Sequence, residues 1–298
     1  MIVGTGNVGA SIGFSLVSQR TAVDELVLTD INMDDAEGEA MDLRDTLAVA
    51  PSYMKIRSGT YAAEAGDCDL IIITAGVPQK PGESRMDLLQ KNAAIFKDMI
   101  GQIMATGFKG HFLFVSNPMD VMTHLVWQYS GLDQSHIIGS GTVLDSARLR
   151  FRIAESLEVS PKSVHAYQIG EHGDTEFALW SNATLGGQPV TKLLDARTRA
   201  TIEESARTAA YDIINKKGAT YYGIGACVTD IVNNILHDEQ RVLPVSTYDA
   251  FTDTFFGFPS VLGRTGVIRR LEIDLTEEEG LKLQQSVNAL REAINIVK

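Results

Sequence analysis

The chain has 298 residues, of which 44% are hydrophobic, and it carries a formal net charge of −12. This length suffices for one large or two moderate domains with a substantial buried core. The charge disfavours nucleic acids and anionic membranes as partners, and an anionic small substrate would need a local basic pocket. Cys68 and Cys227 predict neither a disulfide framework nor a zinc site. With no membrane-spanning apolar run and no signal-peptide pattern, we expect a cytoplasmic location.

Strand and helix signals alternate through the first half of the chain. Short apolar strands are predicted at residues 1–3, 25–29, 70–74, 111–116 and 136–139, and helices at 10–17 and 87–104. Such alternation predicts a parallel sheet that is covered by helices on both faces.

The pattern changes after about residue 140. Long helices are predicted at 144–157, 197–215 and 276–297, with shorter strands around 163–169, 177–185 and 241–247. No linker rich in Pro, Gly and Ser separates the halves. We therefore predict two closely packed domains, 1–140 and 141–298, with the functional site between them.

A glycine-rich turn follows the first predicted strand and opens the first helix. It reads Gly4-Thr5-Gly6-Asn7-Val8-Gly9, the G-x-G-x-x-G pattern that cradles a dinucleotide pyrophosphate. Asp30 ends the second strand, where a carboxylate would bind the adenosine ribose hydroxyls and repel a 2′-phosphate. These features predict a Rossmann-type first half that binds NAD rather than NADP.

His172 is the strongest candidate for proton transfer, because it lies between flexible neighbours in Gly170-Glu171-His172-Gly173-Asp174. Asp145 and Arg148 are three apart on a predicted helix and share a face. Asp145 could fix the histidine tautomer, and Arg148 could clamp a carboxylate, although a surface salt bridge is the simpler reading of this pair alone. A proton carrier and a hydride carrier together suggest reduction of a carbonyl and the reverse reaction.

Three further segments are candidates by position. Residues 76–85 form a loop with two glycines and two prolines, which could close as a lid and carry Arg85 over a substrate. Asn117 follows a strand and could donate to a substrate carbonyl or to the nicotinamide, or it could be only a turn residue before Pro118. Thr220 carries no signal by itself. The few, dispersed histidines predict no metal site.

These motifs, in this order, resemble those of the lactate/malate dehydrogenase family over essentially the whole chain, and most closely its bacterial L-lactate dehydrogenases. The runs that carry the resemblance are Gly4 to Gly9, Gly76 to Arg85, Ser116 to Pro118, Leu144 to Arg148, Gly170 to Asp174 and Lys217 to Thr220. The resemblance implies a Rossmann-type domain followed by a mixed α/β substrate domain, and a cytoplasmic, glycolytic homotetramer.

The resemblance also implies roles for the site residues. His172 would be the general acid for reduction and the base for oxidation, oriented by Asp145. Arg148 would bind the substrate carboxylate, and Arg85 would polarise its carbonyl. Asn117 and Thr220 would flank the substrate, with Asn117 also near the cofactor.

Gln79 decides the expected substrate, because malate-specific relatives carry an arginine at the matching position. A neutral side chain would leave the second carboxylate of oxaloacetate uncompensated, which is costly, so we expect pyruvate and lactate. A larger 2-oxo acid, such as a branched-chain one, is an alternative substrate. Arg150 points away from Arg148 on the predicted helix, and with His165 it matches the fructose 1,6-bisphosphate site of allosteric bacterial relatives.

Three other functions compete with this interpretation. Malate dehydrogenase activity would appear as faster turnover of oxaloacetate than of pyruvate. An NAD-dependent glycosidase would need a metal, and its activity would be lost with a chelator. A redox sensor would bind the nucleotide without turnover, but it would have no need for a complete proton shuttle.

Overall fold

The computed structural model describes the backbone of residues 1–76 and 85–297 and the side chains of all these residues except 85–88. Its strands are β1 (Ile2–Val3), β2 (Glu25–Thr29), β3 (Lys55–Ser58), β4 (Leu70–Ile73), β5 (His111–Phe114), β6 (Ile137–Gly139), β7 (Val164–His165), β8 (Gln168–Ile169), β9 (Phe177–Ala178), β10 (Thr184–Leu185), β11 (Gln188–Pro189), β12 (Val242–Leu243), β13 (Ser246–Asp249), β14 (Thr254–Gly257), β15 (Ser260–Gly263) and β16 (Gly266–Arg270).

The helices are α1 (Asn7–Ser18), α2 (Met33–Thr46), α3 (Tyr61–Glu64), α4 (Arg85–Ala105), α5 (Met119–Ser130), α6 (Val143–Ser156), α7 (Val190–Leu193), α8 (Ala196–Lys217), α9 (Tyr222–Leu236) and α10 (Glu277–Val297). None of the helices in the described part of the chain has both the length and the apolar character that crossing a bilayer requires.

The first six strands form a parallel sheet, as predicted, but the sequence prediction missed β3, an edge strand in which only Ile56 is buried. Their order across the sheet is β3-β2-β1-β4-β5-β6, and each neighbouring pair is parallel. This is the Rossmann order, in which the direction of strand succession reverses between β1 and β4. Ligands of such sheets bind in the crevice at the carboxyl ends of the strands beside this reversal.

A hairpin from the second half of the chain extends this sheet. Strand β13 pairs antiparallel with β6 through Ser246 and Gly139, and β14 pairs antiparallel with β13. The large sheet therefore has eight strands, three more than the five predicted in the first half, and the additional strands are β3, β13 and β14. The two halves share one sheet as well as an interface.

Neighbouring strand residues point into two different cores, as the pleat requires. Val3 and Ile73 pack into the core beneath α4, α5 and α10, whereas Ile2 and Ile72 pack into the core beneath α1, α2 and α9. Because both faces are buried, the strands are apolar throughout instead of alternating. A third, smaller core lies between α6 and α8.

Helix α9 belongs to the second half but covers the first sheet together with α1. A side chain at Gly225 would place its Cβ 2.9 Å from the carbonyl oxygen of Ser11, so only glycine permits this approach. Thr229 then donates a hydrogen bond to Ser15 across the contact. At the beginning of α9, Gly223 lies against Leu144 near the beginning of α6.

Three predicted strands are interrupted. The segment 163–169 divides into β7 and β8, and 177–185 divides around a 3₁₀ turn at Trp180–Asn182. The segment 241–247 divides at Pro244, which has no N–H to donate. Its first part pairs with β15, and its second part joins the large sheet.

Candidate functional site

The turn between β1 and α1 requires its first and third glycines. Gly4 has φ +99°, and a Cβ there would lie 2.6 Å from the nitrogen of Ala75 on the neighbouring strand connection. A Cβ at Gly9 would lie 1.9 Å from the carbonyl oxygen of Gly4. Any other residue at these positions would push helix α1 away from the sheet.

Gly6 is the helix cap and has a different environment. Among the described residues, no atom lies within 4 Å of a Cβ built on it, and α1 has no side-chain cap at its N-cap position. In the described part of the chain the first N–H groups of α1 meet no side-chain acceptor, and they lie at the positive end of a helix dipole, which favours an anion. Gly4, Gly6, Asn7, Val8 and Gly9 together form a cradle that fits a dinucleotide pyrophosphate.

Asp30 lies beside this turn, immediately after β2. Its Oδ2 accepts from the backbone N–H of Thr5 at 2.7 Å, and its Oδ1 accepts from the N–H of Asn32 at 3.2 Å. The adjoining cleft has a volume of about 630 Å³ and is also lined by acidic residues of α2, among them Asp34 and Asp35. This concentration of negative charge disfavours a 2′-phosphate at the ribose.

Other site candidates lie at the same edge of the sheet, where β4 and β5 end. Ser116 donates a hydrogen bond to the carbonyl oxygen of Ala75 at 2.6 Å, and Asn117 is exposed just beyond it. Gln79 lies outside the described residues, as does the side chain of Arg85, whose backbone begins α4.

Asp145 joins two of the predicted site residues. Its Oδ2 lies 2.7 Å from Nδ1 of His172, and its Oδ1 accepts from Nη1 of Arg148 at 2.9 Å. Asp145 is only 2% exposed, so this pair differs from a surface salt bridge. The remaining donors of Arg148 and Nε2 of His172 bond to no residue in the described ranges, which leaves them available to a ligand.

The charges in this cluster shift the pKa values of His172 and Asp145. Burial alone would lower the pKa of His172, but the Asp145 carboxylate and its hydrogen bond outweigh burial and raise the pKa to about 9. Burial likewise opposes ionisation of Asp145, yet His172 and Arg148 hold its pKa below the usual value. The arrangement therefore holds a charged imidazole that can release a proton from Nε2.

Residues that the sequence analysis does not select hold the histidine loop in place. The N–H of His172 donates to Oδ2 of buried Asp120 at 2.7 Å, and Ser246 donates to the other oxygen of that carboxylate. Gly170 forms a bridge of two hydrogen bonds with Gly257 of β14. Asp120, two residues after Pro118, is the sequence signal that could have indicated these contacts.

The other predicted residues are dispersed. Thr220 is half-buried in the short connection between α8 and α9. Arg150 is half-buried on α6, where its charge reaches Tyr167, and it forms no ion pair with another described residue. His165 is exposed at the end of β7.

Comparison with known families divides the chain into two matching parts. Residues 1–139 match the lactate/malate dehydrogenase NAD binding domain, and residues 142–298 match the lactate/malate dehydrogenase alpha/beta C-terminal domain. The chain belongs to the lactate/malate dehydrogenase family. The predicted α/β fold, NAD as cofactor and the family resemblance are thereby confirmed.

Similar proteins extend over the full length of this chain. L-lactate dehydrogenase 2 of Bacillus anthracis is 46% identical, over 99% of this chain and 96% of its own. L-lactate dehydrogenase of Lactococcus lactis subsp. cremoris (strain NZ9000) is 44% identical, over 100% and 98%. The ligand-bound crystal structure of a minor L-lactate dehydrogenase from Enterococcus mundtii is 44% identical with a TM-score of 0.96, over 100% and 97%.

Proposed function

We propose that the chain is an NAD-dependent L-lactate dehydrogenase that interconverts pyruvate and L-lactate. The observation that carries this proposal is the buried contact of Asp145 with both His172 and Arg148. The chain that holds these three residues is 44–46% identical to relatives named L-lactate dehydrogenase.

The reduction needs one proton, one hydride and a bound carboxylate. Arg148 binds the carboxylate of pyruvate through its free donors, and NADH held at the turn between Gly4 and Gly9 would supply the hydride to C2. His172 donates its Nε2 proton to the carbonyl oxygen, while Asp145 holds Nδ1–H and stabilises the imidazolium. Positioned proton transfer of this kind contributes about 10²–10⁴-fold to the rate. In lactate oxidation the neutral histidine accepts the hydroxyl proton.

The cofactor fits the residues around the glycine turn. Gly4, Gly6, Asn7, Val8 and Gly9 would hold the pyrophosphate at the helix N-terminus, and Asp30 would bind the adenosine ribose. Asn117, at the same edge of the sheet, would contact the nicotinamide half of the cofactor and the substrate.

Substrate choice and closure are assigned to the loop 76–85. Gln79 would face the methyl group of pyruvate, and Arg85 would polarise the carbonyl when the loop closes. Thr220 would flank the substrate from the connection before α9. The resemblance to family members supports these roles.

We also propose a regulated assembly. Arg150 and His165 would bind fructose 1,6-bisphosphate between subunits of a homotetramer, and the enzyme would serve glycolysis in the cytoplasm. The absence of an ion pair to Arg150 among the described residues and the exposure of His165 support an anion site. The two free cysteines agree with a reducing compartment.

The domain division at residues 140 and 141 belongs to the same proposal. The two family matches, which end at 139 and begin at 142, support it. The shared eight-stranded sheet means that the second domain also completes the first.

The test is an assay of NADH oxidation with pyruvate, oxaloacetate and 2-oxoisocaproate, with and without fructose 1,6-bisphosphate. We expect the highest kcat/KM with pyruvate and a lower pyruvate concentration at half-maximal rate when the bisphosphate is present. Faster turnover of either other acid would overturn the substrate assignment. If the bisphosphate changed neither the pyruvate concentration at half-maximal rate nor the association of subunits, only the proposed effector site would be overturned.

A further inference from the structure

A second buried carboxyl group lies beside the proton-transfer pair. Glu176 precedes β9 and is 7% exposed. One carboxyl oxygen each of Glu176 and Asp145 and one ring nitrogen of His172 lie within 4.8 Å of one another. Two carboxylates that share a buried site cannot both ionise without a large electrostatic cost, so one of them keeps its proton.

The hydrogen bonds decide which carboxyl group is charged. Asp145 accepts from the imidazole of His172 and from the guanidinium of Arg148. Glu176 receives only a long bond of 3.3 Å, from Nε2 of Gln168 to its Oε1. Its buried Oε2 faces no donor among the described residues. The cationic partners therefore stabilise Asp145 as the anion and leave Glu176 as the acid.

The remaining charges near Glu176 do not reverse this assignment. Arg207 of α8 is close enough for Glu176 to affect its pKa, but its guanidinium is engaged by Glu204 through Nε and Nη2. Burial, followed by the charge of Asp145, raises the pKa of Glu176 well above the ordinary value. A carboxyl oxygen of Glu176 lies within 4.8 Å of a carboxylate oxygen of Asp145.

We propose that Glu176 is a positioning residue, a neutral carboxylic acid that donates a hydrogen bond from Oε2 to Asp145. This inference rests on the proposed function, because it assigns Glu176 a role in the same proton transfer. The donated bond holds the Asp145 carboxylate in the orientation that serves His172 and Arg148 together. A charged Glu176 would instead add a second anion beside the imidazole and hold its proton more tightly.

Two substitutions distinguish the effect of a hydrogen bond donated by residue 176 from the effect of a negative charge at that position. Glu176→Gln keeps the length and a donor but cannot ionise, and Glu176→Met keeps the length without any donor. We expect Glu176→Gln to retain kcat within about twofold and to leave the pH dependence of kcat/KM for pyruvate reduction unchanged. We expect Glu176→Met to lower kcat by about tenfold, with a smaller effect on KM, because the carboxylate is no longer held in place.

Opposite results would overturn the proposal. If Glu176 were ionised, Glu176→Gln would remove an anion beside His172 and move the pH limb to lower pH by about one unit or more. If Glu176→Met kept the wild-type kcat and pH dependence, the residue would have no positioning role. Glu203→Gln is the matched control, because Glu203 supports β9 by bonding to Ala178 and Trp180 away from His172. It should reduce stability without moving the pH limb.

A spectroscopic measurement tests the protonation state without activity. The infrared difference spectrum between the wild-type protein and Glu176→Gln at neutral pH should contain the C=O stretch of a protonated carboxylic acid. Asp120, whose pKa is raised to about 7, contributes equally to both proteins and cancels. Absence of the band would overturn the proposal even if Glu176→Met failed to fold. A wild-type chain that reduced no 2-oxo acid would refute the proposed function, while the band would still report on Glu176.

Discussion

Ser286 of the C-terminal helix accepts a hydrogen bond from the backbone N–H of Glu171 at 2.6 Å, although the two residues are 115 positions apart. The hydroxyl of Ser286 also contacts that of Thr175 at 3.0 Å, and Thr175 donates to the Glu171 carboxylate. One serine therefore closes a hydrogen-bonded ring around the loop that carries His172. Helix α10 supports the site although none of its residues reaches the imidazole.

We predict that Ser286→Ala lowers the activity of the site and has a smaller effect on the stability of the fold. The substitution removes the acceptor of the partly buried N–H of Glu171, which costs about 1 kcal/mol. We expect kcat for pyruvate reduction to fall several-fold. Asn288→Ala removes a side chain from the exposed face of the same helix and should leave kcat unchanged. Equal rates for both variants would show that the ring does not support catalysis.

Asp145→Asn tests the coupling between the buried carboxylate and His172. The wild-type rate of pyruvate reduction should fall as the pH rises through about 9, because the imidazolium that donates the proton is lost there. Without the carboxylate the pKa of His172 should fall, so the same limb moves to lower pH, and kcat should drop by about 10²–10⁴-fold. The measurement is the pH–rate profile at saturating NADH.

The control for this variant is Glu155→Gln, which removes an exposed carboxylate that pairs with Arg152 on the same helix. Its pH–rate profile should match the wild type. A profile of Asp145→Asn with the limb still near pH 9 would contradict the assigned coupling.

Asp120→Asn should change how stability depends on pH. Burial raises the pKa of Asp120 to about 7, with His172 and Glu171 as the charged groups around it. The folded state therefore binds more protons than the unfolded state between about pH 4 and pH 7, and this contribution to stability is lost as the pH rises through that range. The full loss is roughly 4 kcal/mol. Denaturant unfolding at about pH 5 and pH 7.5 measures the effect.

In Asp120→Asn this contribution is absent, because the amide does not titrate. The amide oxygen can still accept from the N–H of His172, and its NH₂ can donate to Ser246. We expect a smaller decrease in unfolding free energy between the two pH values than in the wild type. The same decrease in both proteins would refute the assignment.

Asp30→Asn should relax the choice of cofactor. The amide oxygen can replace the acceptor for the N–H of Thr5, but the negative charge at the ribose is removed. We expect the ratio of kcat/KM for NADH to that for NADPH to fall by about tenfold. Asp24→Asn, which removes the same charge before the opposite end of β2, should leave the ratio unchanged. An equal change in both variants would indicate a general charge effect.

Gln79→Arg tests the substrate assignment of a residue that lies outside the described part of the chain. An arginine there would pair with the second carboxylate of oxaloacetate, so kcat/KM should shift from pyruvate toward oxaloacetate. Competition between the two acids in one assay measures the ratio. An unchanged ratio would show that specificity resides elsewhere.

The sequence predicts five of the six strands of the first half and helices α1 and α4, because local patterns and tertiary structure agree there, but it misses β3, α2 and α5. The buried strands of a parallel sheet are short apolar runs, and the glycine turn marks their first connection. Helix α2 is harder to predict because it buries only Ala36, Ala40 and Leu43. Its boundary signal is Asn32, whose side chain accepts from the N–H of Asp34.

The second half is less predictable because its strands take partners that are distant in the sequence. Nothing local in β13 indicates that Ser246 will pair with Gly139. The same reason separates the site residues that can be predicted from those that cannot. His172, Asp145 and Arg148 follow from their chemistry and spacing, whereas Ser286 and Asp120 act through contacts that only the folded chain creates.

The hairpin of β13 and β14 also has a consequence for biosynthesis. Strand β6 presents an open edge until the chain has been made through Gly257, and open edges are sites of intermolecular pairing. At ordinary rates of translation the nascent chain spends on the order of ten seconds in this state. A nascent chain that stops before Gly257 is therefore more exposed to pairing with a neighbouring chain than the finished protein.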